Sequence, residues 1–137
     1  EHLLEPWKVL EEAAKKVNSE GVILIATPNP ESLAFKLLGR FWPHTDAPRH
    51  IHLIPEFLLT DKMKSLGFDL VMKTTNDKGG LSWNRFSWQR IIMNQFSSKT
   101  MQRVGFIIGW LFSIPLSLIE NRKYNGSAYT VIYKKSQ

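Results

Sequence analysis

The sequence contains no cysteine in its 137 residues. That excludes a disulfide framework, a zinc–thiolate site, an iron–sulfur cluster and a cysteine nucleophile. The chain opens at Glu1 without a basic-then-apolar leader, so no signal peptide is expected. Internal repeats and low-complexity tracts are missing. So are zinc-finger, RNA-recognition and helix-turn-helix signatures, and a nucleic-acid partner is therefore not expected. Acidic residues are scarce in one half of the chain. Residues 69–137 carry three Asp/Glu against ten Lys/Arg, whereas residues 1–68 carry nine against eight.

What is present describes a folded protein. Hydrophobic residues make up 43% and charged residues 22%, which suits one globular domain. The formal net charge of +6 comes entirely from the second half. Such polarity fits an anionic partner (phosphate or a lipid surface), or else a solvated basic face.

The spacing predicts a helix over 6–18, opened by Pro6, with Trp7, Leu10, Ala14 and Val17 on one stripe. Glu11–Lys15 and Glu12–Lys16 form i,i+4 pairs on its outer side. Val22 to Ala26 is a continuous apolar run, expected to be a strand buried on both faces and ended by Pro28 and Pro30. A short helix over 31–41 should gather Leu33, Leu37 and Leu38 on one side. Residues 42–50 read as a loop. A helix over 55–66, with Leu59, Met63 and Leu66 on one face, should stop at Gly67 as its C′ residue. Strands are expected near 68–75 and 127–134, with a turn at 76–80.

Residues 84–120 read as a helical insertion. Within it, Val104 to Ile119 is uncharged. At ~1.5 Å rise per residue, this run spans roughly 24 Å, short of a hydrocarbon core of about 30 Å, and Pro115 should kink it. Trp83, Phe86, Trp88, Phe96, Phe106, Trp110 and Phe112 accompany Arg85, Arg90, Lys99, Arg103, Arg122 and Lys123. This mixture fits a cap on the sheet, a surface lying on anionic lipid, or a subunit contact. Gly105 and Gly109 form a small-xxx-small pair that would let helices approach closely.

Five strings, taken in order, resemble a known family. Glu1-His2-Leu3 followed by Pro6 and a helix resembles the region after the fourth strand of class I S-adenosylmethionine-dependent methyltransferases. Gly21 to Pro30 resembles their fifth strand. Pro48-Arg49-His50-Ile51-His52-Leu53 resembles a loop string of one broad subset. Leu58 to Phe68 and Ala128 to Tyr133 resemble the next helix and the last strand. The resemblance implies an α/β chain: the Rossmann-like C-terminal, substrate-side half of such an enzyme, with a small three-stranded mixed sheet and flanking helices. The whole chain, 1–137, would be a single partial domain. Its last strand would lie between the other two, antiparallel to both. The strand at 21–27 would then expose an edge, through which a homo-oligomer is expected.

The family holds its cofactor on an acidic-x-Gly-x-Gly turn. The sequence has no Gly-x-Gly, so no cofactor-binding residue is expected here, and S-adenosylmethionine would bind only in the parent protein. By the resemblance, Glu1 and His2 lie near the transferred methyl, and His2 suits a general base. Thr27 and Asn29, just past a strand, either line the crevice or serve as turn residues. His50 and His52, an i,i+2 pair, together with His44, Asp46 and Arg49 suggest a metal site. No third ligand is convincingly spaced, and no metal is expected. The remaining options are acid–base work by His50, and substrate contact by His52 and the Arg49 fork, or structural hydrogen bonding.

Two functional readings follow. One is methyl transfer to a small or lipid-linked acceptor, with Glu1, Thr27, Asn29, Arg49 and His52 binding it and His2 or His50 as base. The other is a non-catalytic basic module that docks on a membrane surface or protein partner. Both fit a cytoplasmic protein, with peripheral membrane contact through 84–120 left open.

Overall fold

The computed structural model describes residues 1–122 and 124–136. In chain order the elements are α1 (Pro6–Lys16), β1 (Val22–Pro28), α2 (Leu33–Leu38), α3 (Glu56–Ser65), β2 (Phe68–Thr74), α4 (Lys78–Met93), α5 (Lys99–Glu120) and β3 (Ala128–Lys135). Two 3₁₀ turns, Gly39–Phe41 and Pro43–Thr45, lie between α2 and α3.

The sheet order is β1-β3-β2. β3 is antiparallel to both neighbours, pairing Ile25 with Val131 on one side and Thr74 with Thr130 on the other. The last strand therefore lies in the middle, as expected. Every adjacent pair is antiparallel, however, so the sheet is not mixed, and its order is not Rossmann-like. β1 and β2 run in the same direction but never touch, because β3 fills the gap between them.

One face of the sheet holds the core. Tyr129, Val131 and Tyr133 of β3 meet Leu59 and Met63 of α3, Ala14 of α1 and Phe68 of β2, with Trp7, Leu10, Val17, Ile23 and Ile25 packed around them. The 3.6-residue stripe of α1 and the Leu59–Met63 pair are thus used as expected. Burying each large side chain of this kind contributes about 1.5–3 kcal/mol. Gly67, at φ 80°, follows the end of α3, where a side chain would be strained.

The other face corrects the reading of β1. The strand is not buried on both sides: Val22 is 60% exposed and Leu24 61%. The row Leu24–Ile132–Met72 lies open because α4 approaches this face only near its other end, where Thr130 donates to Asp77. Continuous apolar sequence marked burial where the strand has an open face as well as an open edge.

Smaller corrections follow from tertiary contacts. Glu11 turns away from Lys15 and pairs instead with Lys62 of α3 at 2.5 Å, while Lys15 takes Glu12. The Lys62 ammonium holds the Glu11 carboxyl below its usual range. In α2 the buried residue is Ala34, and Leu37 points outward. The expected turn at 76–80 ends inside α4: Asp77 caps the helix by accepting from the Gly80 N–H at 2.9 Å.

The expected insertion 84–120 is two helices, joined at residues 94–98 and packed as a hairpin. Gly105, Gly109 and Ser113 recur every four residues and form the buried stripe of α5. A Cβ on Gly109 would lie 2.4 Å from the Gln89 Cα and 2.8 Å from the Trp88 carbonyl oxygen. The small-xxx-small pair therefore finds its partner inside the chain. α5 runs unbroken through Pro115.

Two outcomes are expected. Gly109→Ala should cost about 1–3 kcal/mol in chemical denaturation, because backbone atoms cannot yield to the added methyl. Light scattering should give a mass above that of one chain, and Leu24→Lys should lower it towards the monomer. A monodisperse wild-type monomer would rule out association through β1.

Candidate functional site

A pocket of about 350 Å³ opens where β1 and β2 end and β3 begins. Open α/β sheets characteristically bind ligands at the carboxyl ends of their strands. Glu1, His2, Thr27, Arg49 and His50 all line it. Residues from both ends of the first half of the chain therefore converge on one cavity.

The convergence begins in the backbone. The Glu1 carbonyl accepts from the Ile51 N–H at 2.8 Å and the His52 N–H at 3.3 Å, which ties the chain start to the 49–52 segment. The Glu1 carboxylate accepts from the Thr27 hydroxyl at 2.9 Å. Thr27 is fixed by its pairing with Tyr129, so Glu1 is held on the sheet.

The two histidines are held through backbone carbonyls. His2 Nδ1 lies 2.9 Å from the Arg49 carbonyl oxygen, and His50 Nδ1 lies 2.6 Å from that of His44. A carbonyl oxygen only accepts, so each Nδ1 carries the proton and donates. In the neutral rings Nε2 is then the nitrogen with a free lone pair. The rings stand 4.7 Å apart, and His2 Nε2 is 3.7 Å from the Glu1 carboxylate. Two imidazoles and a carboxylate therefore face one another at the edge of the pocket. Glu1, His2 and His50 also bring one ligand atom each to within 4.8 Å of one another, a donor set that could hold a divalent cation.

Arg49 is paired with Asp46. His44 is buried between two indoles, tilted against Trp42 and edge-on to Trp83, with ring centroids 4.9 Å from each. Burial, reinforced by neighbouring His50, pushes its pKa down to about 4, so it stays neutral through the physiological range.

Two expected site residues lie elsewhere. Asn29 is buried and donates to the Tyr124 and Gly126 carbonyls at 3.0 and 2.8 Å, while its side-chain oxygen accepts from the Glu31 N–H at 3.0 Å. It staples the end of β1 to the start of β3 and borders a separate cavity of about 170 Å³. His52 reaches the Leu4 carbonyl at 3.4 Å and is not among the pocket residues.

The sequence reading missed the opposite wall. Asp77, Trp83, Phe86 and Arg90, all on or beside α4, line the pocket with Thr130. Asp77 is a residue type favoured at helix N-caps. That the helix beyond it faces the site follows only from the sheet order. Lys123, one of the basic residues noted above, lies outside the described residues.

Stability should fall as pH drops from about 6.5 to about 4. In that window the unfolded chain binds a proton at His44 that the folded chain refuses, at a cost of at most about 3 kcal/mol. Urea titrations should show a shallower fall for His44→Gln; an identical fall would remove His44 as the cause. No protein-family model and no curated protein matches this chain.

Proposed function

We propose that this chain is the acceptor-binding side of a Rossmann-like, S-adenosylmethionine-dependent methyltransferase. In the intact parent protein it would direct a methyl group to a small or lipid-linked acceptor. The observation that carries the reading is the meeting of Glu1, His2, Thr27, Arg49 and His50 around one pocket at the carboxyl ends of β1 and β2. These residues come from three of the strings that resemble the family. The central, antiparallel position of β3 agrees with the same resemblance.

The sequence has no Gly-x-Gly string, so this reading leaves the cofactor to the rest of the parent protein. Gly80 opens α4 against the Thr75 carbonyl, and Gly105 and Gly109 seat α5 on α4. The proposal therefore assigns this chain acceptor binding and proton removal only. Its pocket is mixed: aromatic Trp83 and Phe86 offer apolar contact, while Arg90 suits an anionic group on the acceptor and Arg49 sits beside it paired with Asp46. His50 is the preferred base. Its Nδ1–H is fixed on the His44 carbonyl, leaving Nε2 to take a proton from an acceptor hydroxyl or amine. Catalysis beyond that is positioning.

The test is made in the full-length parent, whose coding sequence upstream of Glu1 should contain an acidic-x-Gly-x-Gly turn. Calorimetry should show S-adenosylmethionine binding to the parent and none to this chain alone. In the parent, His50→Gln should lower kcat by about 10²- to 10⁴-fold and leave KM much less affected. If no such turn precedes Glu1 in the gene, the reading fails.

A further inference from the structure

α5 is apolar all round, yet only a narrow stripe of it is covered. Gly105, Gly109, Ser113 and Glu120 are its buried residues, and they face α4. On the opposite side Ile107, Leu111, Ile114 and Leu118 recur at intervals of four, three and four. They are 58%, 53%, 50% and 67% exposed. This spacing puts all four on one helix face, about half a turn from the glycine stripe. A continuous exposed row of this kind marks an interaction surface rather than scattered surface leucines.

Charge says what the surface meets. Between Lys78 and Arg122 the sequence has six cations (Lys78, Arg85, Arg90, Lys99, Arg103 and Arg122) and one acid, Glu120. Glu120 is fully buried, and burial raises its pKa. The surface of the hairpin is thus cationic and apolar, with no exposed acid. Cations also bracket the apolar run, with Lys99 and Arg103 before it and Arg122 after it. Lys99 and Arg103 border a shallow groove of about 550 Å³ whose remaining walls include Met93, Phe106 and Ile107. An apolar floor beneath two cations suits an acyl chain ending in an anionic headgroup.

We propose that the α4–α5 hairpin docks on an anionic lipid surface. α5 would lie in the plane of the interface with the Ile107–Leu118 row sunk among acyl chains, and Lys99 and Arg103 would engage headgroups. α5, at 22 residues, is long and apolar enough to cross a bilayer, but the proposed arrangement keeps it in the interface. Its uncharged run covers only roughly 24 Å, and α4 packs along it, so spanning would carry polar residues of α4 into hydrocarbon. The docking itself needs no cofactor, so it can be tested apart from methyl transfer.

The experiment is co-sedimentation of the 137-residue chain with phosphatidylcholine vesicles, with and without phosphatidylglycerol. The chain should bind the anionic vesicles, and added salt should weaken binding. Lys99→Gln with Arg103→Gln should lower the partition coefficient roughly 30-fold. Ile107→Asp with Leu111→Asp should abolish binding while circular dichroism stays unchanged, because both positions are solvent-exposed. No binding to anionic vesicles would overturn the proposal, as would equal binding to both vesicle types. Resistance to carbonate extraction would replace docking by spanning. A vesicle-inert dimer that Ile107→Asp dissociates would make the row a contact between two copies.

Discussion

β1 and β2 run in the same direction, about 10 Å apart, and share no hydrogen bond. Neither could stay in the sheet without β3, whose backbone pairs with one on each side. The structure depends on that insertion. To enter antiparallel between them, the chain must leave β2 at its carboxyl end, travel out, and return to the same end. α4 and α5 make that excursion as an antiparallel pair. The close approach at Gly105 and Gly109 keeps the return path beside the outward one. Ser127, just before β3, donates its N–H to the Asn84 side chain at 2.5 Å, which fixes where the strand begins. Because α4 starts where β2 ends, its first turns wall the pocket at the strand ends.

Two buried acids show how differently the fold treats charge. Glu56 is matched on both sides: Thr60 donates to one carboxyl oxygen and Lys73 to the other at 2.5 Å. Glu120 receives one bond, from the Trp88 indole N–H at 3.0 Å, and its second oxygen has no partner among the described residues. Burial therefore favours the protonated form. The sign of its linkage follows: an acid with a raised folded pKa stabilises most below its unfolded value near 4.5. That contribution is lost as pH rises through the folded value. His44 works in the opposite sense, since its depressed pKa destabilises the fold as pH falls towards about 4. The two groups sit on either side of α4 and pull the pH dependence of stability in opposite directions.

What was legible in the sequence was local. The Trp7–Leu10–Ala14 stripe, the Leu59–Met63 pair and Gly67 each follow from a helix's own periodicity or termination, and each is used as read. Glu1, His2, Thr27, Arg49 and His50 were legible as a group through the resemblance. What was not legible depends on neighbours. Val22 to Ala26 has the composition of a doubly covered strand, and nothing in those residues reports that α4 reaches only the far end of that face. Asn29 looked like a crevice residue because of its place after β1; its amide is instead taken up by carbonyls about a hundred positions later. Arg90 and Trp83 were read as part of an apolar, basic surface, and the hairpin's return turns them into a pocket wall.

That last shift joins the two halves of the molecule. Arg90 lines the pocket, while its neighbour Gln89 lies directly beneath Gly109. Trp88, next again, spans from the small core of Ala34 and Trp42 to Glu120 and Phe112 of α5. α5 therefore cannot shift along α4 without disturbing the residues that carry Arg90. A hairpin resting on lipid would hold this wall in a fixed relation to the interface. The pocket, lined on that wall by Trp83, Phe86 and Arg90, would then face an acceptor with an apolar tail and an anionic head. This is the point at which the two proposals meet. A water-soluble acceptor would leave the exposed row of α5 without a use in catalysis, whereas a lipid-linked one would use the pocket and the row at once.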